Sequence, residues 1–348
     1  MVEDIRNLTL ENLEKNFKTA GFEAYRARQV FEWLYKKDVD DAARMNNLPS
    51  DIKAYLQKYY SLALPAVERI QSSSDQTQKF LLRLRDGSLI ESVSIPAKSR
   101  LTACLSTQVG CRYACAFCAS GTAGFRRDLS ISEILGQFLL VRKHAARSQV
   151  SNVVFMGVGE PLDNYKNLLG AIRIMNDERG IKLGARKMTI STCGLADAIE
   201  RLSKEGLQLE LSVSLHAATD EKRDALMPIN KRFPLEALMK ALRIYALSTK
   251  RKITLEYILL GGYNTTVEDA QALISLLRGL HARVNLIPYN AVAGRQAFES
   301  PAKLEVLFFK SYLEKHGVET TLRMPRGTDI TAACGQLRHQ DSARKGKA

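Results

Sequence analysis

From residue 100 onward, the chain alternates between two hydrophobic patterns, and this alternation is the strongest constraint on its fold. Seven apolar or alternating runs of strand length predict strands at 101–107, 152–158, 187–192, 209–216, 253–260, 284–289 and 319–324. Segments with apolar residues at helical spacing lie between them, at 130–146, 166–179, 195–205, 235–248, 266–279 and 301–316. Strands that alternate with helices are typical of a parallel α/β sheet, which is either open or curved into a barrel.

Short polar sequences follow several of the predicted strands. They are GEPLDN after the second strand, STCG at the third, SLHA at the fourth and PYN after the sixth. In parallel α/β folds, residues at the C-terminal ends of the strands build the active site. These sequences therefore favour a partial barrel of six strand–helix units and a last strand, with a site at that edge.

The residues before this region have a different pattern. Residues 8–60 contain three stretches with helical spacing, and the third begins with Ser50 and Asp51, which favour a helix start. Two strand-like runs then flank the pair Asp86–Gly87, which predicts a β-hairpin. We therefore expect an N-terminal helical accessory domain over 1–75, a linking β-hairpin over 76–96, a partial barrel over 97–340 and a basic tail over 341–348.

Positive charge is unevenly distributed along the chain. The formal net charge is +14, yet residues 1–92 contain 14 basic and 14 acidic side chains, whereas residues 93–348 contain 37 and 23. An excess of this size indicates a polyanionic partner such as a nucleic acid, although a basic, well-solvated surface would also explain it. The sequence shows no apolar run long enough for a membrane helix and no signal-peptide core, so we expect a cytoplasmic protein with no membrane partner.

Four of the six cysteines fall between residues 104 and 118, and three of them form a C-x3-C-x2-C motif at Cys111, Cys115 and Cys118. Three thiolates at this spacing can bind three irons of a four-iron cluster and leave the fourth iron open to a substrate. A zinc site needs a fourth ligand, which the sequence does not supply at finger spacing. A redox pair at Cys115 and Cys118, or unreactive buried thiols, remain alternatives.

Three further residues are candidates for a functional role because of their positions in the sequence. Alternation in SLIESVSIP places Glu91 on an apolar strand face, where a carboxylate is costly unless it is paired or functional. It could be the structural partner of an arginine or a general base. Cys104 and Cys334 lie outside the cysteine motif, and a buried unreactive thiol is the commoner meaning of either one.

The sequence resembles the radical S-adenosylmethionine (SAM) enzymes, because C-x3-C-x-F-C at the start of an α/β barrel is their hallmark. Within that group it is similar to the RlmN-type adenine-C2 RNA methyltransferases over nearly its whole length. Seven motifs carry this resemblance: RARQVFEWLY (26–35), MGVGEPLDNY (156–165), STCG (191–194), SVSLHA (212–217), MPINK (227–231), NLIPYN (285–290) and RGTDITAACGQL (326–337). The related Cfr type methylates C8 of the same kind of adenine and is the alternative activity.

The resemblance implies a fold, cofactors and a set of site residues. The fold is a partial (βα)6-type radical SAM barrel, and the cofactors are one [4Fe-4S] cluster per chain and SAM. Cys111, Cys115 and Cys118 would hold the cluster. The SAM pocket would be lined by Gly159, Glu160, Ser191, Ser214, Leu215, His216 and Asn290. Glu91 would accept a proton, Cys334 would carry the methyl group and Cys104 would release the product, whereas Cys193 matches no family role and is expected in the pocket or the core.

The resemblance also implies the reaction. Adenine C2 is electron-poor, so ordinary polar methyl transfer from SAM fails there. In the family, one SAM methylates the carrier cysteine and a second yields a 5′-deoxyadenosyl radical that takes a hydrogen from that methyl group. The carbon radical adds to C2, the C2 proton is lost, and the second cysteine releases the product as a transient disulfide. The expected substrates are 23S rRNA and tRNA, the electron donor is a flavodoxin or ferredoxin, and the enzyme is a monomer.

Two other classes of protein fit parts of the sequence. A radical SAM enzyme without an RNA substrate, such as a glycyl-radical activating enzyme, has no use for Cys334 or for the basic excess. An iron–sulfur RNA-binding protein without catalysis has no use for the polar residues at the strand ends. Production of 5′-deoxyadenosine by the reconstituted protein would distinguish an enzyme from a binding protein.

Overall fold

The computed structural model describes residues 2–121, 124–145, 149–289 and 298–337. Its N-terminal part consists of three helices, Leu10–Thr19 (α1), Ala24–Tyr35 (α2) and Ser50–Tyr59 (α3). Two short strands, Glu3–Asp4 (β1) and Tyr60–Ser61 (β2), pair in parallel and bring the ends of this part together. Because the helices bury one apolar face each, they share a core that includes Leu13, Phe17, Val30, Phe31 and Leu56.

Ten strands of the remaining chain form one sheet. Its antiparallel half contains Ala66–Ser72 (β3), Gln78–Arg83 (β4) and Leu89–Ala97 (β5), which pairs with Arg100–Cys104 (β6). Gln108–Gly110 (β7) and Phe125–Asp128 (β8) form a separate small sheet. The parallel half continues from β6 through Val150–Phe155 (β9), Met188–Thr192 (β10), Glu210–Ser214 (β11), Ile253–Leu259 (β12), Ala282–Pro288 (β13) and Thr320–Leu322 (β14). Each parallel strand lies next to its predecessor, which is the order that a (βα) barrel requires.

Helices connect each parallel strand to the next. They are Ile131–His144 (α4), Tyr165–Asn176 (α5), Ala196–Leu202 (α6), Asp220–Leu226 (α7), Leu235–Thr249 (α8), Val267–Leu277 (α9) and Lys303–Lys315 (α10). Ser130 and Glu133 form a capping box at α4, and Thr266 and Asp269 form one at α9. In the described part of the chain, no helix combines the length and the apolar character needed to cross a membrane.

The two edges of the ten-stranded sheet come together through residues 326–337, a segment that we call the strap. The strap follows β14, whereas residues 73–77 join β3 to β4 at the opposite edge. The Asp75 carboxylate accepts the Gly327 N–H at 3.1 Å, and the Asp329 carboxylate accepts the Ser74 N–H at 3.1 Å. Since these bonds join opposite edges, the sheet must be curved, and the strap closes the barrel on that side.

The structure confirms the predicted partial barrel, its helical N-terminal part and the linking hairpin. All seven predicted strands and all six predicted helices are present with small changes at their ends. The sequence analysis missed α7 and the small sheet of β7 and β8, which are too short to show a clear period. Strand β3 lies inside the stretch assigned to the helical domain, and it pairs with β4 in the main sheet.

Candidate active site

Three thiols line one cavity at the C-terminal ends of the parallel strands. Cys111 follows β7 directly, and Cys115 and Cys118 come next in the same loop, which we call the cysteine loop (residues 111–121). The Ala116 N–H donates to the carbonyl of Leu226, at the end of α7, over 2.9 Å. All three cysteines are partly buried and line the cavity. The structure therefore brings the three cysteines of the sequence motif together.

The surroundings of Cys111 and Cys115 disfavour the charged thiolate in the absence of iron. Burial raises the pKa of Cys111 to about 12. Burial also raises the pKa of Cys115 well above its usual value, and the neighbouring Cys118 and Cys111 add to this shift. Bound iron would reverse this preference, because the thiolate is the form that binds metal.

The three thiols of the cysteine loop are the ligands that an iron–sulfur cluster uses. Among the residues that the structure describes, no three His, Cys, Asp or Glu side chains converge closely enough to hold one metal ion. A zinc site requires its ligands to meet at one point, whereas each thiolate of a four-iron cluster binds a different iron. The cysteine loop therefore fits a [4Fe-4S] cluster.

Glu160 presents a carboxylate to the same cavity and is almost fully buried. Its Oε2 accepts the Cys193 N–H at 2.7 Å, and its Oε1 accepts the Leu162 N–H at 3.0 Å. Burial raises the pKa of Glu160, and the hydrogen bond from the Cys193 N–H opposes that shift. An ammonium group in the cavity would pair with this carboxylate and offset the cost of its burial.

Gly159 precedes Glu160 at a position that only glycine fits. Its φ is +106°, and a Cβ atom there would lie 2.6 Å from the Cβ of Gln108. The same Gln108 accepts the Glu160 N–H on its Oε1 at 2.9 Å. The missing side chain thus allows β7 and the loop after β9 to approach closely, which fixes the Glu160 carboxylate in the wall.

Not all of the other strand-end residues predicted from the sequence line the cavity. Ser191 on β10 and Ser214 at the end of β11 line the cavity. Leu215 is fully buried and does not line it. Asn290 lies outside the described residues.

His216 lies at the wall next to the cysteine loop. Its backbone has a φ of +58°, and its Nδ1 accepts the Ile258 N–H at 3.0 Å. The Phe117 ring packs edge-on against the imidazole, with 4.5 Å between the ring centroids. Burial and, to a smaller extent, the charge of Arg223 lower the pKa of His216 to about 3. The imidazole is therefore neutral near pH 7, and its Nε2 is the nitrogen that can donate a hydrogen bond.

The strap places Cys334 at the cavity beside the cysteine loop. The Gly335 carbonyl accepts the Ala119 N–H at 2.7 Å, and the Leu337 carbonyl accepts the Ser120 hydroxyl at 2.7 Å. Cys334 is exposed and lines the cavity that also contains the three motif thiols. The strap is therefore attached to the cysteine loop at one end and to the β3–β4 loop at the other.

Cys104 and Cys334 share one region with the half-buried guanidinium of Arg323. Cys104 ends β6 and packs with Ala332 and Leu337 of the strap. Burial raises the pKa of Cys104 to about 12, nearby Cys334 raises it too, and the charge of Arg323 opposes the shift. The proximity of Cys334 is also the main cause that raises the pKa of Arg323. A guanidinium between two thiols would stabilise a thiolate on either of them.

Glu91 lies on β5 with its side chain almost fully buried. The Nζ of Lys79 on the neighbouring strand β4 lies 3.2 Å from its Oε1. The structure thus pairs Glu91 with a lysine, where the sequence left open a pair with an arginine. Glu91 does not line the cavity that contains the motif thiols.

Comparisons with known proteins agree with this arrangement. The family model for the radical SAM superfamily matches residues 105–277, and the model for the N-terminal domain of ribosomal RNA large subunit methyltransferases matches residues 3–62. The dual-specificity RNA methyltransferase RlmN of Pelobacter propionicus is 43% identical over 343 residues, which is 98% of each chain. The chain belongs to the RlmN family of radical SAM enzymes. The resemblance inferred from the sequence motifs is confirmed.

Further relatives give the same result. A probable dual-specificity RNA methyltransferase RlmN of Thermosipho melanesiensis is 43% identical over 97% of this chain and 99% of its own. The crystal structure of a radical SAM methyltransferase from Sphaerobacter thermophilus superposes with a TM-score of 0.93 at 39% identity, covering 96% of this chain and 99% of that one. This RlmN-family chain is accordingly a SAM-dependent methyltransferase of the radical SAM class.

The sequence analysis missed three charged residues of this site. Arg323 follows the short strand β14, and nothing in the sequence around it signals a place in the site. Glu256 interrupts the apolar run ITLEYILL, a signal comparable to that of Glu91. Its carboxylate accepts the Asn285 amide N–H at 2.8 Å and the Ser212 hydroxyl at 3.2 Å, and burial raises its pKa.

Arg223 is the third residue, and it ties the loops of the site together. Its guanidinium is fully buried and donates to the carbonyls of Cys193 at 2.8 Å and Ser214 at 3.2 Å. It also donates to the Asn230 Oδ1 at 2.7 Å, within the motif MPINK. Arg223 could not be identified from the sequence pattern, because it lies on the missed helix α7. Cys193 is buried and lines the cavity, as expected for a pocket residue.

Proposed function

We propose that this enzyme methylates C2 of an adenosine in 23S rRNA and in tRNA. The observation that carries the proposal is the placement of two additional thiols, Cys104 and Cys334, beside a cavity that already contains three. A cluster needs only the three motif thiols, so the additional pair requires a different chemical role. The relatives' name, dual-specificity RNA methyltransferase, supports two kinds of RNA substrate.

The cavity residues divide into two groups by the cofactor they would hold. Cys111, Cys115 and Cys118 would bind a [4Fe-4S] cluster, which supplies the electron that cleaves SAM. The Glu160 carboxylate would receive the SAM amino group, and Gly159 gives it the necessary close approach. Ser191, Ser214 and His216 would offer hydroxyl and imidazole hydrogen bonds, and Asn290 would complete this pocket.

The two additional thiols and Glu91 would act on the RNA adduct. Cys334 would carry the transferred carbon and become linked through it to C2. Glu91 would accept the C2 proton, and the unpaired electron of the radical adduct would pass to a one-electron acceptor such as the cluster that the motif thiols would hold. The Cys104 thiolate would then attack the Cys334 sulfur, so that an S–S bond forms as the S–C bond breaks. The released carbon would keep that electron pair and take up a proton, which makes it a methyl group.

A second cavity provides a route for RNA to these thiols. It shares Cys334 and Arg323 with the first cavity, and Arg100 and Arg326 also line it. None of the described residues that line it is acidic. A cavity with three guanidinium groups matches the negative charge of an RNA backbone. We place the substrate on this side, opposite the strand ends that would hold SAM.

The helical N-terminal part would add a second RNA contact, in the accessory role proposed for residues 1–75. Tyr25 and Tyr59 lie on the surface of the helical part, and each exposes about half of its surface to solvent. The Arg26 guanidinium lies 4.7 Å from the Tyr25 ring centroid, and the Lys58 ammonium lies 5.2 Å from that of Tyr59. Rings paired with cations suit contacts to unstacked bases and phosphates.

Analysis of the methylated nucleoside tests the proposal directly. The chain is reconstituted with iron and sulfide without oxygen, reduced through a flavodoxin or ferredoxin, and supplied with SAM and RNA. Digested product is compared with 2-methyladenosine and 8-methyladenosine standards by chromatography and mass spectrometry. We expect 2-methyladenosine from both an rRNA fragment and a tRNA, and none from the Cys334→Ala control. 8-Methyladenosine would instead support the Cfr-type reaction.

We expect a monomeric enzyme that works in the cytoplasm, where both RNAs are found.

A further inference from the structure

Lys79 is a buried lysine on β4 that contacts both Glu91 on β5 and Thr331 in the strap. Its side chain is 6% exposed, and its Nζ lies 3.2 Å from the Glu91 Oε1. The same Nζ donates to the Thr331 hydroxyl at 3.0 Å and to the Thr331 carbonyl at 3.3 Å. Thr331 belongs to the strap and lies three residues before Cys334.

These three oxygens match the three N–H donors of an ammonium group. Burial of a lysine is costly, and a full set of partners is needed to offset it. The contacts come from different parts of the chain, since Lys79 is on β4, Glu91 is on β5 and Thr331 follows β14 by several residues. A residue needed only to balance the charge of Glu91 would not require two bonds to the strap.

The strap geometry gives these bonds a consequence for Cys334. Thr331 has a φ of +52°, a conformation that a β-branched residue rarely adopts without external support. Next to it, the Ala332 N–H donates to the Gly327 carbonyl at 2.8 Å. The hydrogen bonds from Lys79 therefore hold the strap in a strained turn just before the cysteine.

We propose that Lys79 is a positioning residue that sets the proton acceptor Glu91 and the carrier Cys334 at a fixed separation. This inference rests on the proposed function, in which Glu91 takes the C2 proton of an adduct held by Cys334. Proton transfer requires the carboxylate to lie within hydrogen-bond reach of the C2–H. Because the adduct is attached to the strap and the base is attached to β5, the ammonium that bonds to both sets their distance. Lys79 therefore acts after the carbon–carbon bond has formed, and it is not needed for SAM cleavage.

The test measures how fast the RNA–protein adduct disappears. Reconstituted enzyme is given SAM, reductant and RNA, and samples are quenched over time for denaturing gels and for 5′-deoxyadenosine. The variants are Lys79→Met, Glu91→Gln, the double variant and Thr331→Val, which removes one Lys79 bond and retains the ion pair. Arg83→Met is the matched control, because Arg83 is also on β4 and pairs with an acid, Glu68, at 2.5 Å on the surface.

We expect Lys79→Met to form 5′-deoxyadenosine at the wild-type rate and to lose its adduct about tenfold more slowly or worse. Thr331→Val should show a smaller delay, and Arg83→Met should behave as the wild type. The double variant should be no slower than Glu91→Gln, because Lys79 acts through Glu91. If Lys79→Met fails to fold, Thr331→Val alone decides the outcome.

Three results would overturn the inference. One is wild-type adduct decay in Lys79→Met, or in Thr331→Val if that variant decides. Another is an equal delay from Lys79→Met in the Glu91→Gln background, which would mean an effect independent of the base. The third is the absence of any adduct in Cys104→Ala while 5′-deoxyadenosine still forms. That last result would contradict the proposed function itself. Because it is measured in a protein with Lys79 intact, it is distinct from a failure of the inference about Lys79.

Discussion

The parallel and antiparallel halves of the sheet build their parts of the site in different ways. In the parallel half, Glu160, Ser191, Ser214 and His216 lie at or just after strand ends and line a cavity. In the antiparallel half, Glu91 and Lys79 lie within strands and pair with each other across the sheet. Strand ends can present polar groups to a ligand without disturbing the core. A charged pair inside a sheet needs its partners within the protein. It is therefore better suited to fixing a distance than to binding a cofactor.

This contrast predicts that each half fails in its own manner. Loss of a group in the parallel half should stop the reaction at its start, because the cluster and SAM are held there. Loss of a group in the antiparallel half or in the strap should stop it later, after RNA has been joined to the protein. The predictions below run from the largest expected effect to the smallest.

The largest effect is expected from Cys111→Ala, Cys115→Ala or Cys118→Ala. Each should abolish cluster assembly and with it all SAM cleavage, because these thiols would supply the only protein bonds to the irons. Iron content, the brown colour and 5′-deoxyadenosine measure this loss. Cys193→Ser is the matched control, since Cys193 lines the same cavity but should leave the iron content unchanged. Normal iron and SAM cleavage in a motif variant would contradict the ligand assignment.

The next effect separates the two additional thiols. Cys334→Ala should produce no methylated RNA, because no carrier for the carbon remains. Cys104→Ala should join RNA to Cys334 and stop there, since no thiol is present to attack the sulfur. An RNase-sensitive upshift of Cys104→Ala on a denaturing gel measures this adduct. It should vanish in the Cys104→Ala/Cys334→Ala double variant. Release of methylated RNA by Cys104→Ala at the normal rate would show that Cys104 is not the resolving thiol.

Sequence reasoning succeeded in the parallel half for a physical reason. The α/β alternation has a long period and strong contrast, so every strand and all but one helix of that half were predicted. Polar residues at strand ends also stand out against apolar strands, as Glu160 and Ser214 do. Less could be predicted for the antiparallel half, because alternation could place Glu91 on an apolar face but could not identify its partner. Lys79, Arg323 and Arg223 were missed because pairing across 12 residues or more depends on register and tertiary packing.

A stability comparison sharpens the contrast between the halves. Gly159 and Gly87 both have positive φ, at +106° and +83°. An added Cβ at Gly159 meets Gln108 at 2.6 Å, whereas nothing lies within 4 Å at Gly87 in the β4–β5 hairpin. Gly87→Ala should therefore cost only backbone strain, about 1–2 kcal/mol of unfolding free energy. Gly159→Ala should cost about 2–5 kcal/mol, because overpacking adds to the strain. Denaturant unfolding measures both, and equal losses would show that the close approach at Gly159 is relaxed in solution.

The smallest effect is expected at the junction between the strap and the β3–β4 loop. The Asp75 carboxylate accepts the Gly327 N–H, and its hydrogen bonds to Thr77 and Gly327 outweigh partial burial and lower its pKa to about 2. Asp75→Ala removes this anchor, and a hydrogen bond of this kind contributes about 1 kcal/mol. Amide hydrogen exchange across the strap should therefore become about tenfold faster or less, since the strap opens more often.

Other anchors should limit this change and keep the early chemistry intact. Lys79 still holds Thr331, and the Ala119 and Ser120 bonds still hold the far end of the strap. We therefore expect Asp75→Ala to form 5′-deoxyadenosine at the wild-type rate. Asp86→Ala is the matched control, because Asp86 accepts the Ser88 N–H in the next hairpin and pairs with Arg127, which is not part of the strap. Faster strap exchange in Asp75→Ala but not in Asp86→Ala would establish that the antiparallel half holds the carrier cysteine in place. Equal exchange in both variants would mean that the Asp75 carboxylate does not help to hold the strap.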